Sequence, residues 1–237
     1  GKLPDAPAGM TPDDAPATAP PERLDRFMAR AGAAYYAHRE AFGATGDFIT
    51  APEMTQAFGE CLGLWAAVNW QAMGRPDPVL LVELGPGRGT LMDDALRAAA
   101  EMAPDFRAAL RVHLVETSPR LRAAQAQRLG AAVTAWHEDI AALPPGPAIV
   151  IGNEFLDALP IRQFIRRGDA WRERFVQAGA FVEAPVADAP PLPEHAQDGA
   201  VQEVCEPARA IAATLAGRLA AQGGAALFLD YGPAESG

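Results

Sequence analysis

Acidic and amide side chains in this 237-residue chain fall repeatedly just after short apolar runs. Val79 to Leu84 is apolar apart from Glu83, and Gly85-Pro86-Gly87-Arg88-Gly89 follows it. Glu116 ends the run that holds Val112, Leu114 and Val115, and Asp139 with Ile140 follows Ala131 to Trp136. Asn153, Glu154 and Asp157 follow Ala148 to Gly152, and Asp230 closes Gly224 to Leu229. Carboxylates in such places can accept from an ammonium group, from paired ribose hydroxyls or from the fork of a guanidinium. The alternating glycines let the chain turn sharply and bring bare backbone against a ligand. Leu91 to Met102 then has helical spacing, and the start of that helix leaves N–H groups free for a polar ligand. The pattern G-x-G-x-G is neither the dinucleotide fingerprint nor a phosphate-binding loop ending in G-K-[ST]. Glu83, two residues before the first glycine, suits a ligand with a positive amino group. A different nucleotide and a tight strand–helix turn with no ligand remain open on this stretch alone.

Each candidate has a bland alternative. Glu116 stands where Rossmann-like folds place an acid on the ribose hydroxyls, or it is an ordinary surface acid. The segment Ala103 to Arg111 reads as an insertion that lengthens its distance from the glycines. Asp139 and Ile140 can hold an adenine, or Asp139 caps a short helix over Ile140 to Leu143. Asn153, Glu154 and Asp157 lie where a reacting group would sit, with Glu154 and Asp157 able to grip a guanidinium. The alternative is that they tie down a loop. Gly46, Asp47 and Glu53 belong to a glycine loop, Gly43 to Glu53, whose acids can close over a ligand or only cap the helix that starts near Pro52. His38, His113, His137 and His195 show no metal spacing, and no metal is expected. Cys61 is expected in the core beside Phe58, Leu62, Trp65 and Ala66; Cys205 is far away and there is no C-x-x-C. That usage fits a reduced compartment.

The elements needed to position these groups alternate between strand and helix, which implies a mainly parallel sheet with helices on both faces. Such sheets bind ligands in the crevice outside the carboxyl ends of their strands. Residues 1–21 read as a disordered tail rich in proline and alanine. Residues 22–75 read as an N-terminal helical extension, with a helix over Glu22 to Arg39, the ligand-covering loop and a second helix ending at Gly74. Residues 76–237 read as the Rossmann-like core. It carries an insertion at about 161–200: a β-meander over Gln163 to Arg167, Trp171 to Gln177 and Ala180 to Glu183, then a surface loop from Ala184 to Gly199. Glu206 to Gln222 reads as a helix and Gly224 to Asp230 as a fifth parallel strand. The net charge of −10 argues against a nucleic-acid partner. No apolar run approaches the ~18–20 residues of a membrane span, and the N-terminus lacks an apolar signal core.

Five stretches together resemble one family. They are Gly46-Asp-Phe-Ile-Thr-Ala-Pro-Glu53 with Gln56-Ala-Phe-Gly-Glu60; Glu83-Leu-Gly-Pro-Gly-Arg-Gly-Thr-Leu-Met92; His113-Leu-Val-Glu-Thr-Ser-Pro-Arg-Leu-Arg122; Asn153-Glu-Phe-Leu-Asp-Ala-Leu-Pro-Ile-Arg-Gln-Phe164; and Leu229-Asp-Tyr-Gly232. Over roughly residues 24 to 232 the chain is similar to the MidA-like methyltransferases that use S-adenosyl-L-methionine (SAM). That family includes the mitochondrial complex I assembly-factor protein arginine methyltransferase. The glycine stretch is shared by many methyltransferases, whereas the Gly46 and Asn153 stretches are specific to this family. The resemblance implies the Rossmann-like methyltransferase fold and a SAM site at Glu83, Gly85, Gly87 and Glu116. It also implies a protein-arginine acceptor in the mitochondrial members, a respiratory complex I subunit. The cysteine usage and an alanine- and arginine-rich composition like that of a high-GC bacterial chain point to a cytoplasmic location, whereas eukaryotic members are mitochondrial. Family members are longer, and their sheet continues with two strands that this sequence does not reach. Competing expectations are a non-enzymatic SAM-binding assembly protein and a methyltransferase of another substrate class.

Overall fold

The structure, a computed structural model, describes residues 20–38 and 55–231. In chain order the elements are β1 (Glu22–Arg23), α1 (Leu24–His38), α2 (Gln56–Ala72), β2 (Val79–Leu84), α3 (Thr90–Met102), α4 (Pro104–Ala109), β3 (Leu110–Val115), α5 (Pro119–Leu129), β4 (Val133–His137), β5 (Ala148–Asn153), β6 (Arg162–Arg167), β7 (Ala170–Gln177), β8 (Ala180–Pro185), β9 (Val201–Val204), α6 (Glu206–Gln222) and β10 (Gly224–Leu229). Single 3-10 turns stand at Gly130–Ala132 and Ile140–Ala142. The chain divides into two compact units: residues 46–158 with 210–232, and residues 1–45 with 159–209 and 233–237. The helical segment 22–75 is divided between them, α1 belonging with β6 to β9 and α2 with the parallel sheet.

All six residues of β2 are buried, the consequence of an apolar run covered on both faces. Side chains alternate across the strand. Val79 and Leu81 enter one core with Leu62, Ala66, Trp70 and Phe106. Leu80, Val82 and Leu84 enter another with Val115, Ile140, Val150 and Leu215. The sheet order is β10-β5-β2-β3-β4, and every pair is parallel. The chain therefore runs outward from β2 through β3 to β4, then returns to the opposite side of β2 for β5. This reversal opens a crevice at the carboxyl ends of β2, β3 and β5, where a Rossmann-like sheet binds its ligand. Helix α2 lies against α3 through glycines: a Cβ at Gly63 would come within 2.5 Å of the Ala95 carbonyl oxygen.

The second unit is antiparallel. β6 pairs with β7 and β9, and β7 pairs with β8 and β1. The expected meander is present, and β9 adds a strand that the sequence did not announce. Inside it, Arg162 and Glu173 form a buried two-pronged ion pair at 2.7 and 2.9 Å.

Several expectations are corrected. The helix expected from Glu22 begins at Leu24, because Glu22 and Arg23 extend to pair with Val176 and Phe175. The segment read as an insertion, Ala103 to Arg111, is largely regular: Pro104 starts α4, and β3 begins at Leu110. Cys61 is exposed rather than in the core, since α2 buries Gly59, Leu62, Gly63, Ala66, Ala67 and Trp70. The expected helix opening near Pro52, the loop carrying Gly46 and Asp47, and almost all of the expected tail lie outside the described residues.

Candidate functional site

The glycine turn joins β2 to α3. Gly85, Gly87 and Gly89 all have positive φ, at 62°, 53° and 79°. The Gly85 N–H donates to the Val115 carbonyl at 3.0 Å, and the Gly89 N–H closes the turn onto the Pro86 carbonyl at 2.8 Å. Two of the glycines answer different demands. At Gly89 a Cβ would lie 3.1 Å from Leu129 Cδ1, so the glycine admits α5. At Gly87 a Cβ would meet no described atom within 4 Å, so what the position requires is left-handed backbone beside open space.

Glu83 precedes this turn in the middle strand, in register with Leu114 on one side and Ile151 on the other. It is only 3% exposed, and its Oε2 has no hydrogen-bond partner among the described residues. Burial pushes its pKa up to about 8. A buried carboxylate without a cation is costly, and no ion pair to it is formed among the described residues. An ammonium group brought by a ligand would complete it, so the donor set fits a SAM-type cofactor.

Glu116 lies just beyond β3 and is buried. Its Oε1 accepts the Ser118 N–H at 2.8 Å, and Ser118 in turn caps α5. Its Oε2 faces the Gln125 amide at 3.4 Å. Gln125 also donates to the Gly87 carbonyl at 2.7 Å and accepts the Trp136 indole N–H at 2.9 Å. Neither Gln125 nor Trp136 was expected at the site. Asp139 caps the 3-10 turn through the Ala141 N–H at 2.7 Å, the alternative weighed for it above, while Ile140 is buried in the second core.

At the end of β5 the chain turns through Glu154, which has a left-handed φ of 48°. The Glu154 N–H donates to the Leu229 carbonyl at 2.7 Å. Asp230, beyond β10, accepts the N–H groups of Leu156 and Asp157 on one oxygen, at 3.0 and 3.1 Å. Glu154 and Asp157 are thus brought together by a left-handed residue and a carboxylate anchor. Burial, then the charges of Asp157 and Asp230, raise the pKa of Glu154; burial, then Asp230, raise that of Asp157. The Asn153 Oδ1 is buried with no partner among the described residues. His113 and His137, which looked scattered in sequence, meet ring to ring, Nδ1 to Nε2, at 2.9 Å.

Comparison with known proteins agrees with this geometry. Residues 61–237 match a family described as "Putative S-adenosyl-L-methionine-dependent methyltransferase". The chain is 38% identical over 232 residues to the mitochondrial protein arginine methyltransferase NDUFAF7 of Xenopus tropicalis, a match covering 84% of this chain and 54% of that protein. Against the Homo sapiens protein of the same name it is 36% identical over 242 residues, covering 89% and 55%. The chain thus spans about half the length of the curated relatives it matches. A crystal structure of a Burkholderia thailandensis protein bound to S-adenosyl-homocysteine aligns with a TM-score of 0.69 at 30% identity, covering 90% of this chain and 59% of that one. With its glycine turn, strand-end carboxylates and parallel sheet in the same frame, the chain belongs to this family of S-adenosyl-L-methionine-dependent methyltransferases.

Proposed function

We propose that the chain binds SAM over the carboxyl ends of β2, β3 and β5 and serves the methylation of an arginine nitrogen in a protein substrate. The observation that carries the cofactor half is Glu83, a buried carboxylate beside a left-handed glycine turn whose Oε2 has no partner among the described residues. Glu83 would hold the α-ammonium group, Glu116 the ribose hydroxyls, and Asp139, through the oxygen its cap does not use, with Ile140 the adenine. Gly85, Pro86, Gly87 and Gly89 would present bare backbone, with Gly46 and Asp47 covering the ligand. Bound there, SAM would supply a methyl already activated on a sulfonium, with the neutral thioether as leaving group and one proton of the attacking nitrogen released to solvent. The protein's tasks are then alignment and charge control. A guanidinium is cationic and weakly nucleophilic. Glu154 and Asp157 can accept its N–H groups and hold its positive charge away from the attacking nitrogen. Asn153 can orient it through its unpartnered Oδ1.

Protein arginine as the acceptor is supported by the names of the relatives. The family resemblance, more than the geometry, supports a respiratory complex I subunit as that acceptor; two separated cysteines with no C-x-x-C support the cytoplasm as the location. The test is transfer of labelled methyl from SAM to a cell extract, followed by amino-acid analysis, with S-adenosyl-homocysteine binding measured separately by calorimetry. Methyl-arginine is expected, and Glu154→Gln with Asp157→Asn should abolish it while leaving cofactor affinity intact. Methyl-lysine as the product, or full transfer by the double variant, would overturn the acceptor assignment.

A further inference from the structure

We propose that Gln125 is a positioning residue of the cofactor site, a single buried amide that locks the glycine turn and the Glu116 carboxylate into one register. The proposal rests on the SAM-binding reading above and adds to it a residue that neither the resemblance nor the motif pattern marks. Gln125 is completely buried on α5. A side-chain amide offers two donor hydrogens and an acceptor oxygen, and all three are engaged here. The nitrogen serves Gly87 at 2.7 Å and Glu116 at 3.4 Å, and the oxygen takes the Trp136 indole N–H at 2.9 Å. The amide cannot be turned over. Exchanging oxygen and nitrogen would set an acceptor against the Gly87 carbonyl and the carboxylate, and a donor against the indole N–H.

Helix α5 comes close enough for these bonds because Gly89 lacks a Cβ. One built there would lie 3.5 Å from Gln125 Cγ and 3.1 Å from Leu129 Cδ1. The second Glu116 oxygen is fixed independently by the Ser118 N–H at 2.8 Å. Gln125 is therefore the side chain through which the turn after β2 and the acid after β3 sense each other, with Trp136 of β4 bracing the amide from behind. A cofactor that spans the glycine turn and the ribose acid needs both at once. Holding them in register before binding removes an ordering cost that binding would otherwise bear.

Calorimetry with S-adenosyl-homocysteine on this chain tests the idea, using Gln125→Met and Trp136→Phe at temperatures well below each variant's melting point. Methionine keeps the volume and removes every hydrogen bond. Gln125→Met should weaken binding at least tenfold while circular dichroism stays native. Trp136→Phe, which frees the amide without touching the turn or the acid, should weaken it by a few-fold. In a Glu116→Gln background the Gln125→Met penalty should shrink, because residues acting as one unit are not additive. Wild-type affinity in Gln125→Met, whatever its melting point, would overturn the proposal, and so would strictly additive penalties. If Gln125→Met does not fold, wild-type affinity in Trp136→Phe overturns it equally. Failure of the unmodified chain to bind S-adenosyl-homocysteine would instead overturn the cofactor reading on which the proposal stands.

Discussion

Glu83 makes the site testable through protons. Burial raises its pKa from 4.5 to about 8, so the empty folded protein holds the carboxyl protonated at neutral pH whereas the unfolded chain holds it ionised. The folded state then binds more protons than the unfolded one between those two values, and stability falls as pH rises through that window. At pH 7 the strain amounts to 2.5 pH units above the unfolded value, at most about 3 kcal/mol at roughly 1.36 kcal/mol each. Glu83→Gln removes the titration and keeps the shape. The variant should melt higher than wild type at pH 7.5, by up to roughly 2–4 °C per kcal/mol. The two should converge as pH falls toward 4.5. The same substitution should weaken S-adenosyl-homocysteine binding, because the α-ammonium loses its carboxylate. Calorimetry in buffers of different ionisation enthalpy adds a direct count: at pH 7 binding to wild type should release close to one proton, about 0.9 for a pKa near 8, and binding to Glu83→Gln correspondingly fewer. A variant that melts lower at every pH would show that Glu83 already has a partner inside the protein. Equal proton release by the two proteins would show that the ligand's ammonium goes elsewhere.

Burial, with smaller contributions from His137 and Arg218, lowers the pKa of His113 to about 4, so the stability it contributes is complete above pH 6.5 and is lost as pH falls toward 4. Urea midpoints of His113→Phe should accordingly vary less than wild type across that range, and an unchanged pH profile would exclude the pair as the acid-sensitive element. Gly63→Ala drives a methyl to within 2.7 Å of the Ala95 Cα and should cost about 1–3 kcal/mol in thermal unfolding; a wild-type melt would mean that α2 and α3 are not in contact. Glu173→Gln leaves the buried Arg162 guanidinium without its paired carboxylate, with the Asp188 carboxylate at 3.9 Å and the Asp188 carbonyl at 2.6 Å. About 3 kcal/mol of denaturant stability should be lost. Replacing both partners by Met and Leu should restore most of it, and no recovery would show that the pair does more than neutralise itself.

How far these features were legible depends on how local their causes are. β2 was readable because a strand covered on both faces must be a nearly unbroken apolar run, and Glu83 stood out as the one ionisable residue in it. The same logic missed β9, whose four residues Val-Gln-Glu-Val show no alternation, and β1, whose two residues are extended only because β7 is there to pair with them. Gln125 carried no signal at all. It lies in a polar helix, and its partners stand 9, 11 and 38 residues away, so nothing nearby in the sequence distinguishes it from a solvated glutamine. Glu154 and Asp157 were singled out from their place after a buried strand, yet the way they meet was not foreseen. Their approach depends on a left-handed Glu154 and on backbone N–H groups claimed by Asp230, both set by tertiary contacts.

Cys61 shows the same limit within one helix. A hydrophobic stripe through Phe58, Leu62, Trp65 and Ala66 leaves Cys61 at its border, and bulk alone would turn that border inward. The contact actually runs through Gly59 and Gly63, where the absence of Cβ atoms lets the backbone of α2 meet α3 directly. A face chosen for smallness outweighs a face chosen for apolarity, because dense packing between helices rewards close approach as much as hydrophobic area. The buried stripe therefore centres on the glycines, Phe58 and Trp65 fall to its partly covered margin, and Cys61 is carried round to solvent.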